Sequence, residues 1–196
     1  IALYFKQKSI GKHTLFLLLY SAPIMVVLAM LRPYMIDLGQ SLSQIGIIMG
    51  IVGTSVAALS SFLAGMLIKR FGKKQNLITC SLFILLAVLL VLIVSSIEQA
   101  PIALVYASIV TLWCAHGYAT VLLYSIAMGK IRSGRSGTDF TLQTVLIQLS
   151  GLFLSVIGGV VAGRFSYQHL FTLGVLLAVG SLIYNITIYK KQLDEQ

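Results

Sequence analysis

Residues 65–74 read GMLIKRFGKK, and they lie between two long apolar runs. Four cations, Lys69, Arg70, Lys73 and Lys74, fall within six positions, with Gly72 inside the cluster. A short basic break between apolar runs is how a chain leaves a bilayer and re-enters it, and the cations hold that break on one side.

Composition supports this reading. The chain has 196 residues, 58% hydrophobic and 10% charged, and its mean hydropathy is +0.98. A soluble domain carries about 25% charged residues, so a polytopic membrane protein is expected. The formal net charge of +9 would suggest nucleic acid in a soluble protein. Here the cations flank apolar spans, so membrane lipid and topology account for them and no nucleic-acid partner is expected. The chain opens on Ile1, as a processed chain or a piece of a longer one would, and no signal-peptide cleavage pattern follows. Cys80 and Cys114 lie inside apolar stretches, with neither disulfide nor metal-ligand spacing. They read as packing residues, and no metal or cofactor is expected.

Six apolar segments of about 20 residues are placed at 13–37, 42–68, 77–96, 101–128, 138–164 and 169–189. They form one transmembrane bundle over 13–190, preceded by a basic cytoplasmic segment 1–12 and followed by a tail 191–196. Ser41 with Gln44 makes a capping box at the second segment. Ser136 or Thr138 would cap the fifth, with Asp139 against its positive end. Pro101 suits the start of the fourth. Alternate connections carry Lys6, Lys8 and Lys12, then the quoted cluster, then Lys130, Arg132 and Arg135, then Lys190 and Lys191. The other side has only Arg32 and Arg164, so both termini are expected in the cytoplasm.

Small residues recur every four positions in two segments: Gly53, Ala57, Ser61 and Gly65, and then Gly151, Ser155, Gly159 and Gly163. Such a stripe lets another helix approach closely. Its recurrence suggests a duplication, a 3+3 inverted repeat of three-helix units.

The motif carried by Gly65, Arg70, Gly72, Lys73 and Lys74 resembles the loop motif of the major facilitator superfamily, with Lys69 where the acidic residue would stand. That departure and the basic approach to the first segment resemble the C-terminal half. The resemblance implies an all-α fold with a partner, an N-terminal six-helix half, in the same chain or a second subunit. It implies that the first and fourth helices of a half line a central cavity, and that the second and fifth meet the other half. LRPYMIDLGQSLSQIG and GTDFTLQ are most similar to the branch of bacterial siderophore importers and muropeptide permeases, with acetyl-CoA transporters nearby. The implied function is proton-coupled import of a ferric siderophore across the bacterial inner membrane. A muropeptide or another large amphipathic anion is the second implied substrate. A non-transporting structural or assembly protein is the alternative of another class.

In the fourth segment Tyr106, Trp113, Gly117, Thr120 and Tyr124 share a face, with His116 beside them. Either they line a cavity or they are packing and interfacial aromatics. An ionisable group at mid-span is a functional candidate, so His116 is either a proton-coupling group or a neutral histidine bonded to a neighbouring helix. Arg32 is either an anion contact or a cation reaching the membrane edge. Tyr20 and Tyr34 share a helical face and could join the cavity wall. Asp139 is a helix cap and ion-pair partner, or a gate. Gln143 and Gln148 are candidates for hydrogen bonds to substrate or between halves. No phosphate-binding loop, voltage-sensor arginine series, channel filter or serine-protease turn is present, so an enzyme is not expected.

Overall fold

The computed structural model describes residues 2–5, 10–132 and 134–191. Lys6, Lys8 and the tail from residue 192 lie outside the described residues. Among the described residues, five helical stretches are long and apolar enough to cross a bilayer: α1 (Ile10–Asp37), α2 (Leu42–Ser95), α3 (Ile102–Met128), α4 (Ser136–Arg164) and α5 (Tyr167–Tyr189). The second and third expected segments both fall within α2, which runs for 54 residues.

A straight helix of that length would extend roughly 80 Å, far beyond a hydrocarbon core of about 30 Å. α2 is not straight. Gly72 has φ 77° and ψ 166°, a conformation essentially confined to glycine. Beyond it the chain folds back, since Leu63 and Leu67 line one groove with Thr79 and Phe83. Asn76 closes the turn, its Nδ2 donating to Leu67 O at 3.1 Å and Gly72 O at 2.6 Å. α2 is thus a hairpin of two arms, 42–71 and 73–95, bent at the glycine of the basic stretch.

The other helix boundaries follow local chemistry with two corrections. The Ser41–Gln44 capping box is formed, with Gln44 N donating to Ser41 Oγ and Ser41 N to Gln44 Oε1. α4 begins at Ser136 with Arg135 at the N-cap position and no side-chain cap, so Ser136 and Thr138 both fall inside the helix rather than capping it, and Asp139 in the first turn pairs with Arg132. Pro101 stands just outside α3 with extended ψ 131°, so Ile102 takes the first helical position.

α1 is the central rod. Phe16, Leu17, Val27 and Leu31 are fully buried along it. α4 and α5 approach it closely through glycine: a Cβ on Gly158 would lie 3.3 Å from Val26 Cγ2, and one on Gly174 would lie 2.7 Å from Val27 Cγ2.

Parts of the two small-residue stripes pack against neighbouring helices of this chain. Gly53 faces the Trp113 indole, and Ala57 lies backbone to backbone against Gly117. Ser60 Oγ donates to Cys114 O at 2.6 Å and Ser61 Oγ to Gly117 O at 3.0 Å. Hydroxyls on two consecutive residues of α2 thereby clip onto the α3 backbone. On α4, positions Gly151 and Gly159 face Met25 and Met30 of α1, while Ser155 Oγ turns back to Gly151 O. Gly65 and Gly163 face open space.

Candidate functional site

A cavity of about 150 Å³ opens between α1, α3 and α4. Its polar lining comprises Tyr20 and Ser21 from α1, His116, Thr120 and Tyr124 from α3, and Gln148 from α4. Each lining helix presents residues one turn or less apart, which is why side chains distant in sequence converge. The cavity is therefore bounded by the first and fourth expected segments, with α4 as a third wall. Thr120 Oγ1 is held by His116 O at 2.8 Å, and Tyr124 sits 5.8 Å from Phe140 between ring centroids. Among the described residues, no cation and no carboxylate lines it. Its chemistry is that of hydroxyls, an imidazole and an amide, groups that orient a solute by hydrogen bonds.

Four expected wall residues lie elsewhere. Tyr34 packs edge-on against Tyr167 and Phe171 of α5, at centroid distances of 5.2 and 5.4 Å. Tyr106 donates to Gln40 Oε1 at 2.6 Å, tying the start of α3 to the loop between α1 and α2. Trp113 lies over Gly53 and meets His116 edge-on at 5.8 Å, so it backs the cavity rather than lining it. Arg32 is exposed near the end of α1. The nearby Asp37 accepts from Tyr167 Oη at 2.7 Å. With Arg32 outside the cavity, Arg32→Ala is expected to leave solute uptake within roughly twofold of the parent, as for surface substitutions generally. A selective loss of anionic solute would return this residue to the site.

Two polar clusters stand at the end of the bundle that carries the basic turns. Arg132 Nε and Nη2 donate to the Asp139 carboxylate at 2.7 and 2.6 Å, and Arg132 N donates to Oδ2 at 3.1 Å. The bidentate geometry is a strong form of ion pair; it pins the loop before α4, and the adjacent carboxylate raises the Arg132 pKa. The second cluster was not anticipated. His13, near the start of α1, is fully buried. Its Nδ1 lies 2.5 Å from Tyr189 Oη, and its Nε2 lies 2.8 Å from Gln143 Oε1. Gln143 Nε2 donates to Ala127 O at 3.2 Å. Helices α1, α3, α4 and α5 meet in this chain of bonds. A hint was present in the sequence, since Gln143 was flagged as a buried amide in need of partners, but nothing local named His13 as one. In the basic loop, Lys73 Nζ donates to Ser125 O at 2.7 Å, holding the α2 turn to the last turn of α3, where a cation is favoured.

The sequence model of the Major Facilitator Superfamily matches residues 14–194. A curated protein of Rickettsia prowazekii (strain Madrid E), named "Putative transporter AmpG 3", is 22% identical over 179 residues. That match covers 91% of this chain and 42% of the relative, so the chain spans less than half the length of the curated relative.

Proposed function

The chain belongs to the Major Facilitator Superfamily, and from that premise we propose that it is one half of a secondary carrier for a large solute rich in hydrogen-bonding groups. Membership makes it a multi-pass membrane transporter and not an enzyme. We read the α2 hairpin as two spans, which gives six in all, arranged as an inverted 3+3 repeat. An N-terminal half would complete the cavity. Six spans and the basic turns support cytoplasmic termini and placement in the bacterial inner membrane.

The observation that carries the substrate proposal is the uncharged polar wall of His116, Thr120, Tyr124 and Gln148. Hydroxyls and amides on the solute would pair with these groups, and desolvating them in a partly apolar site discriminates against solutes that leave them unpaired. Muropeptides, built of sugar hydroxyls and peptide amides, suit such a wall. A ferric siderophore is the second reading; among the described residues no cation lines this cavity, so the anionic groups of either solute would be met elsewhere in the whole carrier.

His116 is the group proposed for proton coupling, because imidazole titrates near neutral pH and faces the cavity. In proteoliposomes, His116→Gln is expected to flatten the dependence of muropeptide uptake on external pH while preserving binding. A retained pH profile would remove the coupling role. Uptake of a ferric siderophore in place of a muropeptide would reverse the order of the two substrates.

A further inference from the structure

We infer that the basic turn of α2 and the groove behind it hold an anionic phospholipid, the acyl chain between the arms and the phosphate at Arg70. The inference rests on the membrane placement of the chain and is independent of which solute it carries.

The groove has a volume of about 470 Å³. Ser60, Ala64 and Tyr118 form its buried floor, and Leu63, Leu82 and Leu86 form exposed apolar rims. Its length follows two facing rows, residues 60, 63, 64 and 67 on one arm and 79, 82, 83 and 86 on the other. Seven residues of helix give about 10 Å of apolar trough along the bilayer normal. That shape and chemistry fit a hydrocarbon tail.

Toward the turn the trough continues into a second space of about 170 Å³, which shares Leu67, Thr79 and Tyr118 and adds Phe71, Gln75 and Asn76. The lining thus changes from apolar to polar along one axis, as a lipid does. Asn76 and Tyr118 satisfy each other there, through a bond of 2.5 Å. Gln75 is exposed at the mouth. Arg70 lies three positions beyond Leu67 on the same arm, and its Cζ sits 5.2 Å from the ring centroid of Phe71, which lines the mouth. A guanidinium stacked this way keeps its donors aimed outward for a planar or tetrahedral oxyanion.

Charge complementarity selects the ligand. Between Asp37 and Glu98 the sequence has no acidic residue, while Lys69, Arg70, Lys73 and Lys74 all lie at the turn. An anionic headgroup is drawn to such a cluster of cations at the membrane surface.

The test uses the full-length carrier, delipidated in detergent and titrated by native mass spectrometry with dioleoylphosphatidylglycerol or dioleoylphosphatidylcholine. The parent is expected to retain the anionic lipid severalfold more tightly than the zwitterionic one. Arg70→Gln should reduce that ratio toward one, and Arg70→Lys should restore part of it. Leu63→Gln with Leu82→Gln, both on exposed rims, should weaken retention of both lipids. Equal retention by the parent would overturn the inference and assign the cations to an acidic loop of the protein. So would a preference that survives Arg70→Gln. Solute uptake does not enter any of these readings, so a wrong substrate class leaves the result intact.

Discussion

Replacing Gly117 with Val is expected to remove most of the folded protein from the membrane. A Cβ at this position would drive into the carbonyl and Cα of Ala57. The obstacle is backbone, which cannot rotate aside as a side chain tip can. Overpacking a well-filled core costs roughly 1–3 kcal/mol, and here relief requires α2 and α3 to separate. Separation would also break the bonds from Ser60 to Cys114 O and from Ser61 to Gly117 O, and lift Gly53 from Trp113. One added side chain therefore acts on four contacts at once. Gly65→Val is the matched control, since a Cβ there meets nothing within 4 Å. Yield of monodisperse protein and its thermal midpoint in detergent are the measurements. Parity between the two variants would mean that α2 and α3 do not pack through Gly117.

The all-helical, apolar character of the chain was legible in the sequence because lipid leaves a backbone few choices, although the expected second and third segments form one long helical stretch bent at Gly72. Every N–H and C=O must be paired within a helix, so an apolar run of sufficient length has one structure open to it. The capping box at Ser41 was equally legible, being local to four residues. The hairpin at Gly72 was visible as a basic break, and only glycine accepts the φ and ψ it requires. What the stripes at Gly53–Gly65 and Gly151–Gly163 could not declare was a partner. Four-residue spacing of small side chains states that something approaches closely; it does not state which helix.

The site shows the same boundary. A helical projection places Trp113, Gly117, Thr120 and Tyr124 on one stripe, and the structure divides that stripe. Trp113 and Gly117 turn to α2, while His116, Thr120 and Tyr124 turn to the cavity. A stripe this wide borders two neighbours, and the crossing of the rods decides which residue meets which. Tyr34 shares a helical face with Tyr20, yet it lies nearly four turns away, where Tyr167 and Phe171 of α5 cover that face. Asp139 was read both as a cap and as an ion-pair partner. Arg132 wins because its two donors match the carboxylate geometry.

His13→Leu is the second substitution of large expected effect, and the proton directions around the ring explain why. Gln143 Nε2 donates to Ala127 O, which leaves Gln143 Oε1 as an acceptor facing His13 Nε2. That nitrogen must carry the proton, so in a neutral ring Nδ1 is the acceptor and Tyr189 supplies its hydroxyl proton. The bonds run in one sense, from Tyr189 through His13 and Gln143 to the α3 backbone, with no donor or acceptor of the ring left over. Phe16 stacks on Tyr189 at 4.0 Å and 8°, and the helix widens to π geometry over Asn185–Tyr189, the stretch that carries Tyr189. Such widenings are frequent at functional positions. Leucine at 13 leaves the Gln143 carbonyl and the Tyr189 hydroxyl buried and unpaired, at about 1–3 kcal/mol each. The opposing expectation is that an all-apolar node is tolerated, because replacing both members of a buried bond by apolar groups can be nearly neutral. The triple variant H13L/Q143L/Y189F should therefore have a higher thermal midpoint than His13→Leu alone, a non-additivity that isolated side chains do not show. Costs that simply sum across the three substitutions would show that these residues do not act as one network. If the coupling is found, transport by the triple variant becomes informative, because it separates a node that only holds four helices together from one whose polar bonds must exchange during the carrier cycle.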